Sequence, residues 1–414
     1  MSARIEADYL IETADDPRRA VEVMAGEQSS GTFVPVPGET EELKARAAAR
    51  VERLEIIGEV ATPSLPGAST GARRVQASTT LSWPLDNIGP SLPNLLATVA
   101  GNLFELKQFS GLKLLDLRLP YAFADAYAGP KFGIEGTRRL AGVEGRPLIG
   151  TIVKPSVGFS PAQTAELVDL LCDAGIDFIK DDELQSDGPS CPFDQRVHAV
   201  MEVINRHADR SGKKVMFAFN LTGDLDQMRR RHDLVREAGG TCVMVSLNSL
   251  GLVGLIELAR HANLPIHAHR NGWGYLGRHP LLGFSYVAWH KLWRLAGADH
   301  MHVNGLANKF SESDDSVVAS ARACLTPLFS ERPDLVMPVF SSGQTIRQVH
   351  DTHAAIGSVD LIHAAGGGIV AHPEGPAGGV AAFRAAWDAA QAGVSIEKAA
   401  ADHPALAVAL RGTE

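Results

Sequence analysis

Over the C-terminal two-thirds of the chain, short apolar runs alternate with longer segments whose apolar residues recur at helical spacing. Eight such runs stand out: RPLIGTIVKP, IDFIKDDE, KVMFAFNLTG, TCVMVSLNS, LPIHAHRNG, DHMHVNG, LVMPVFSSG and VDLIHAAGGG. Between them lie helix-patterned stretches such as SPAQTAELVDLLCDAG, LDQMRRRHDLVREAG, LGFSYVAWHKLWRLAG and GPAGGVAAFRAAWDAAQAG, several closing on Gly as a helix C-cap should. Strands that alternate with helices predict parallel pairing through crossovers, and eight of them predict a (β/α)8 barrel, an α/β fold that takes roughly 250 residues.

Residues before about Leu140 do not follow this rhythm. AARVERLEIIGEVA and ASTTLSWPL read as a helix followed by strands, and NLLATVAGNLFELKQF reads as a helix. The expected division is an α+β domain of ferredoxin-like type over 1–130 and a catalytic barrel over 131–414, joined at YAGPKFGIEGTRRLAGVEGRP.

Composition narrows the function classes. Charged residues make up 21% of the 414 and the formal net charge is −9, with no basic run, so nucleic acid is not an expected partner. No cationic segment followed by an apolar core opens the chain, and no apolar run has the length of a membrane span. The four cysteines, Cys172, Cys191, Cys242 and Cys324, have no CxxC spacing and read as reduced thiols of a cytoplasmic enzyme.

The chemistry gathers at the ends of the strands. Lys154, then Lys180, Asp182 and Glu183, Asn220, His267, His269 and Arg270, His300 and His302, Ser341 and Ser342, and Gly366-Gly367-Gly368 each close an apolar run. A barrel builds its active site from that rim, which favours an enzyme over a binding module. Lys180-Asp181-Asp182-Glu183 reads either as a solvated strand end or as a divalent-metal site, and Lys180 has no lone pair to offer a metal while it is an ammonium. His267 with His269, and His300 with His302, lie two apart and face one side of their strands. They are candidate metal ligands, proton shuttles or phosphate binders. Arg270 favours an anionic substrate. The glycines after the eighth run, with SSGQ after the seventh, let backbone N–H groups approach an anion. Lys309, by itself, is either a surface charge or a residue of a loop that folds over the site.

GTIVKP, GIDFIKDDE, HAHR, DHMH, the NK of the sixth loop, SSG and AAGGG resemble, in order and strand position, the RuBisCO large-subunit superfamily. EQSSGTF, AGNLFELK and YAGPKFGIEG extend the likeness over nearly the whole chain. The resemblance implies that Lys180 reacts with CO2 to form a carbamate, and that this group binds Mg²⁺ together with Asp182 and Glu183. It implies that Lys154 and His269 handle protons, and that Arg270 and His302 hold a distal phosphate with Ser341 nearby. Gly343, Gly366, Gly367 and Thr32 would form the other anion pocket. Glu27, Thr32 and Asn102 would reach in from a second subunit, giving a homodimer that could assemble further.

Departures from the family pattern locate the branch. Ser156 stands where the carboxylating enzymes have a second lysine, Phe33 where they have Trp, and Trp273 where they have His. Ribulose-bisphosphate carboxylation is therefore not expected. Lys309, Arg270 and His302 are kept, whereas the methionine-salvage enolases generally lack the HxHR strand end and the loop lysine. A retained Lys309 implies a substrate that already carries a carboxylate. RNGWG and NGLANK resemble the RuBisCO-like proteins of apiose-type sugar catabolism. The expected activity is Mg-dependent decarboxylation of a phosphorylated 3-oxo sugar acid, of the 3-oxo-isoapionate 4-phosphate type. The alternatives are transfer of the carboxyl group followed by hydrolysis, enolisation of a methylthio-pentulose phosphate, and a non-catalytic sugar-phosphate sensor.

Overall fold

The computed structural model describes residues 3–30, 36–71 and 73–412. They form two compact units, one of 1–128 with 272–295, the other of 129–271 with 296–414. Among the described residues no helix is long and apolar enough to cross a membrane.

The first unit is a five-stranded sheet with helices. Its strands are β1 (Arg4–Thr13), β2 (Arg50–Val60), β3 (Arg74–Pro84) and β4 (Phe109–Arg118), and helices Pro17–Glu27 and Leu92–Val99 make the crossovers. The antiparallel order β4-β1-β3-β2 with this β-α-β-β-α-β sequence is ferredoxin-like.

AARVERLEIIGEVA is not a helix. Helix Glu41–Ala47 precedes it and the stretch itself is strand β2, paired to β3 along its length. Register shifts at Val51/Arg53 and Ile56/Gly58 explain the misleading period: each bulge inserts a residue and stretches the twofold alternation locally to three. NLLATVAGNLFELKQF is helical only to Val99, with a single 3-10 turn at Leu103–Glu105 before β4 begins.

The second unit closes eight parallel strands into a barrel. All eight runs singled out in the sequence supply one each: β5 (Leu148–Ile152), β6 (Phe178–Lys180), β7 (Met216–Asn220), β8 (Cys242–Ser246) and β9 (Ile266–His269), followed by three more. Those follow β10 (Leu282–Phe284), which leaves the barrel order and pairs parallel with β4 in the first sheet. They are β11 (His300–His302), β12 (Met337–Phe340) and β13 (Ile362–Ala364), the last pairing with β5 to close the ring. Leu148, Phe178, Met216, Met244, Val339 and Ile362 belong to one buried apolar cluster.

Local chemistry sets the helix ends. Helix Pro161–Asp173 starts with a Ser160/Gln163 capping box and Pro161 in its first turn. It stops where Gly175 takes φ +74°, a conformation costly for any residue with a Cβ. Just beyond, buried Asp177 accepts from Arg146 (2.6 and 2.9 Å), Lys213 (2.6 Å) and the Ile149 N–H (2.9 Å). It joins β5 and β6 at their N-terminal ends, the side of a barrel that serves stability.

Candidate active site

At the opposite ends of the strands the polar residues converge. Strand β6 delivers the Lys180 ammonium 1% exposed, donating to the Asp181 carbonyl (2.7 Å) and 3.6 Å from Glu183 Oε2. Burial dominates its titration and pulls the amine below its ordinary pKa, although Glu183, Asp182 and Asp181 act in the other direction. Lys154, just past β5, donates to Asp182 Oδ2 (2.6 Å) and to Ser156 Oγ (2.8 Å). Burial disfavours the Asp182 anion, but the hydrogen bonds from Lys154 and the Leu184 N–H outweigh it and hold the carboxyl below its usual range. Glu183 is likewise held low: burial opposes ionisation, and His269 and Lys180 overcome it.

Asp181, the third acid of the run, turns away from this group. It is fully buried, 3.2 Å from Arg196 Nη2, and accepts from the Asn220 N–H at 2.9 Å. Asn220 in turn donates to the Glu183 carbonyl (3.2 Å), so the end of β7 fixes the backbone that carries the two site carboxylates. Asp182 and Glu183 offer hard oxygen donors beside an amine that burial biases towards its neutral, nucleophilic form. That donor set fits a divalent cation such as Mg²⁺ once Lys180 carries an anionic oxygen.

Strands β9 and β11 supply the histidines. His269 Nε2 lies 3.5 Å from Glu183 Oε2; burial, reinforced by Lys180, brings its pKa down to about 4. The other three form a buried chain. Thr137 Oγ1 donates to the Gly133 carbonyl and meets His300 Nε2 at 2.7 Å. His300 Nδ1 faces His267 Nδ1 (3.4 Å), His267 Nε2 faces His302 Nε2 (2.7 Å), and His302 Nδ1 meets Ser341 Oγ (3.0 Å). Thr137 has committed its only proton to Gly133, so each neutral ring along the chain must donate in the same direction. Ser341 gives its proton to His302 and shows lone pairs to the site. Three of the four histidines of the sequence pairs are thus joined by hydrogen bonds, with His302 at the rim and His267 and His300 behind it, while His269 stands outside the chain beside Glu183.

Arg270 follows β9 and pairs with Glu312, a residue that sequence reasoning passed over because it lies in a polar loop run. The same loop carries Lys309, whose backbone N–H donates to the Ser342 carbonyl (3.3 Å). A side chain added at Gly343 would sit 3.5 Å from the Lys309 Cβ. Gly366 and Gly367 follow β13; a Cβ on Gly366 would meet Ile152 of β5 at 3.8 Å, and one on Gly367 would meet nothing within 4 Å. Glu27 and Asn102 belong to the first unit, and Thr32, with Phe33, lies outside the described residues.

A second constellation lies on the barrel helices, where His232, Asp233 and His261 bring ligand atoms within 4.8 Å. His232 Nε2 accepts the Asn263 N–H (3.0 Å), so its Nδ1 holds the proton facing Asp233 (3.1 Å), and the ring has no lone pair left for a metal.

Two family descriptions match the chain: the catalytic domain of the ribulose bisphosphate carboxylase large chain over residues 133–412, and its N-terminal domain over 7–123. The chain is 62% identical over 410 residues to a 3-oxo-isoapionate-4-phosphate transcarboxylase/hydrolase of Xanthobacter autotrophicus, with 99% of each chain covered. It is 44% identical to a 3-oxo-isoapionate-4-phosphate decarboxylase of Rhizobium etli, with 98% of each covered. The crystal structure of a rubisco-like protein from Burkholderia fungorum superposes with a TM-score of 0.94 at 49% identity, covering 99% of each chain.

Proposed function

The chain belongs to the ribulose bisphosphate carboxylase large-chain family, and within it we propose a RuBisCO-like enzyme that breaks the bond to the carboxylate of 3-oxo-isoapionate 4-phosphate. The observation that carries the chemistry is the buried Lys180 amine beside Glu183, with Asp182 and Lys154 joined at the same rim. The substrate rests on the relatives. Identity of 62% to the transcarboxylase/hydrolase, against 44% to the decarboxylase, supports transfer and hydrolysis over the plain decarboxylation expected from sequence.

Lys180 would take up CO2 as a carbamate, exchanging an ammonium for an anionic oxygen, and would hold Mg²⁺ together with Asp182 and Glu183. When bound, the ion stabilises negative charge developing on adjacent substrate oxygens. The chain's own groups do the rest. Lys309 sets a positive charge against the substrate carboxylate. As the C–C bond breaks, its electron pair flows onto the neighbouring ketone. Lys154, which lies at the same rim, would move the proton this requires. His269, whose Nε2 lies 3.5 Å from Glu183 Oε2, would be the second group to handle a proton at this rim. In the transfer branch the carboxyl group is recaptured on the other carbon of the electron-rich pair, and water then cleaves the product.

Glu27, Thr32 and Asn102 are proposed to complete the site from a second copy of the chain. The test of the reading is direct. Purified protein with Mg²⁺ and bicarbonate should consume 3-oxo-isoapionate 4-phosphate, followed by mass spectrometry, and an untouched substrate would end it.

A further inference from the structure

In the pocket that the family resemblance assigns to a distal phosphate, the Arg270 guanidinium, 7% exposed, is paired with the Glu312 carboxylate, 12% exposed, so the two charges offset one another. Glu312 is held from three sides, since Asn304 Nδ2 donates to Oε2 (2.7 Å) and Ser316 Oγ to Oε1 (2.8 Å). The support is itself built at a backbone cost. Asn304 (φ +66°) and Ser342 (φ +73°) both occupy the left-handed region, and the Ser342 hydroxyl donates to Asn304 Oδ1 (2.9 Å). Burial pushes His302 well below its ordinary pKa, so it brings no charge, and Ser341 has its proton on His302 and turns lone pairs outward.

We propose that Glu312 is a specificity residue that neutralises Arg270 and closes this subsite to a second phosphate, restricting the enzyme to sugar monophosphates whose far end is a hydroxyl. The reasoning is electrostatic. A phosphate dianion entering the pocket would meet a buried carboxylate fixed by three donors and a serine oxygen with no proton to give. Like charges brought together in a site this dry cost affinity, on the order of tenfold or more. A substrate hydroxyl, by contrast, finds an acceptor in Ser341 and a donor in Arg270, and needs nothing from the Glu312 carboxylate, which Arg270, Asn304 and Ser316 already occupy. This rests on the sugar-phosphate reading above and adds to it the residue that keeps a second phosphate out.

The test uses two unreactive polyols that lack the carbonyl the reaction needs, ribitol 5-phosphate and ribitol 1,5-bisphosphate. Each is titrated calorimetrically into the full-length protein and into Glu312→Gln. The wild type should bind the bisphosphate no more tightly than the monophosphate. Glu312→Gln, which keeps the side-chain shape and removes the charge, should tighten bisphosphate binding about tenfold or more and leave the monophosphate within about threefold. A wild type that binds the bisphosphate tenfold more tightly, or a variant that shifts both ligands by the same factor, would overturn the inference alone. Loss of both ligands in the wild type would overturn the sugar-phosphate reading and this inference with it. The wild-type pair decides the first point even if the variant does not fold.

Discussion

At Lys180 burial and charge act against one another. Its amine is almost fully desolvated, its nearest carboxylate oxygen is 3.6 Å away, and burial outweighs the acids in setting its titration. Such a group is a poor investment in stability and a good one in reactivity, because a neutral amine can add to CO2. Lys180→Ala is therefore expected to lose Mg²⁺-dependent turnover by about a thousandfold or more, with thermal stability kept or slightly raised. Unchanged turnover would remove the carbamate from the mechanism. The residue types at this rim were legible in the sequence because charge at the end of an apolar run is conspicuous. Two things were not. Asp181 is indistinguishable from its neighbours in sequence, and only its pairing with Arg196 shows that it faces away. Glu312 sits among serines and aspartates in a loop, where nothing in sequence spacing points it at Arg270.

Adjacent elements turn single histidines into a device. Parallel pairing of β9 with β11 sets His267 opposite His300, and the twofold period of β11 puts His302 on the same side. Sequence gave the shared face; the direction of the protons came only with Thr137, which lies on a helix at Gly133–Ala141 and carries no catalytic signature. These rings also impose a pH dependence on folding. Burial brings the pKa of His300 down to about 3 and that of His269 to about 4, against an ordinary 6.5. Below about pH 6.5 the unfolded chain takes up protons that the folded one refuses until pH approaches those lower values. Stability is thus complete above that point and falls as the solution is acidified. The melting temperature should be lower at about pH 5 than at about pH 7.5, and His300→Gln should shrink the difference. A pH-independent melting temperature would contradict the buried neutral state. The same scale explains two misread strands: two bulges gave the edge strand β2 the hydrophobic spacing of a helix, and Leu282–Phe284, read with the helix that follows it, is strand β10.

At the scale of the molecule, the strand runs alone predicted the barrel, since each element of it is a local pattern that repeats eight times. The excursion of β10 to the first sheet was not legible, because LGF is too short an apolar run to mark which sheet it joins. If a second copy completes each site, two inactive variants should complement one another. Mixed after denaturation and refolding, Lys180→Ala and Glu27→Ala chains should regain about a quarter of wild-type activity, the share of intact sites in a random dimer population. No recovery would mean that each chain works alone.

The reaction proposed for this chain breaks the bond to a carboxylate. Its most direct test is ¹³C NMR of carboxyl-labelled 3-oxo-isoapionate 4-phosphate incubated with the protein, Mg²⁺ and bicarbonate. Label is expected to leave its original carbon and reappear as the carboxylate of a smaller fragment. Label released as CO2 and bicarbonate would move the enzyme to the decarboxylating branch, and label that stays on an intact or merely isomerised substrate would contradict the claim.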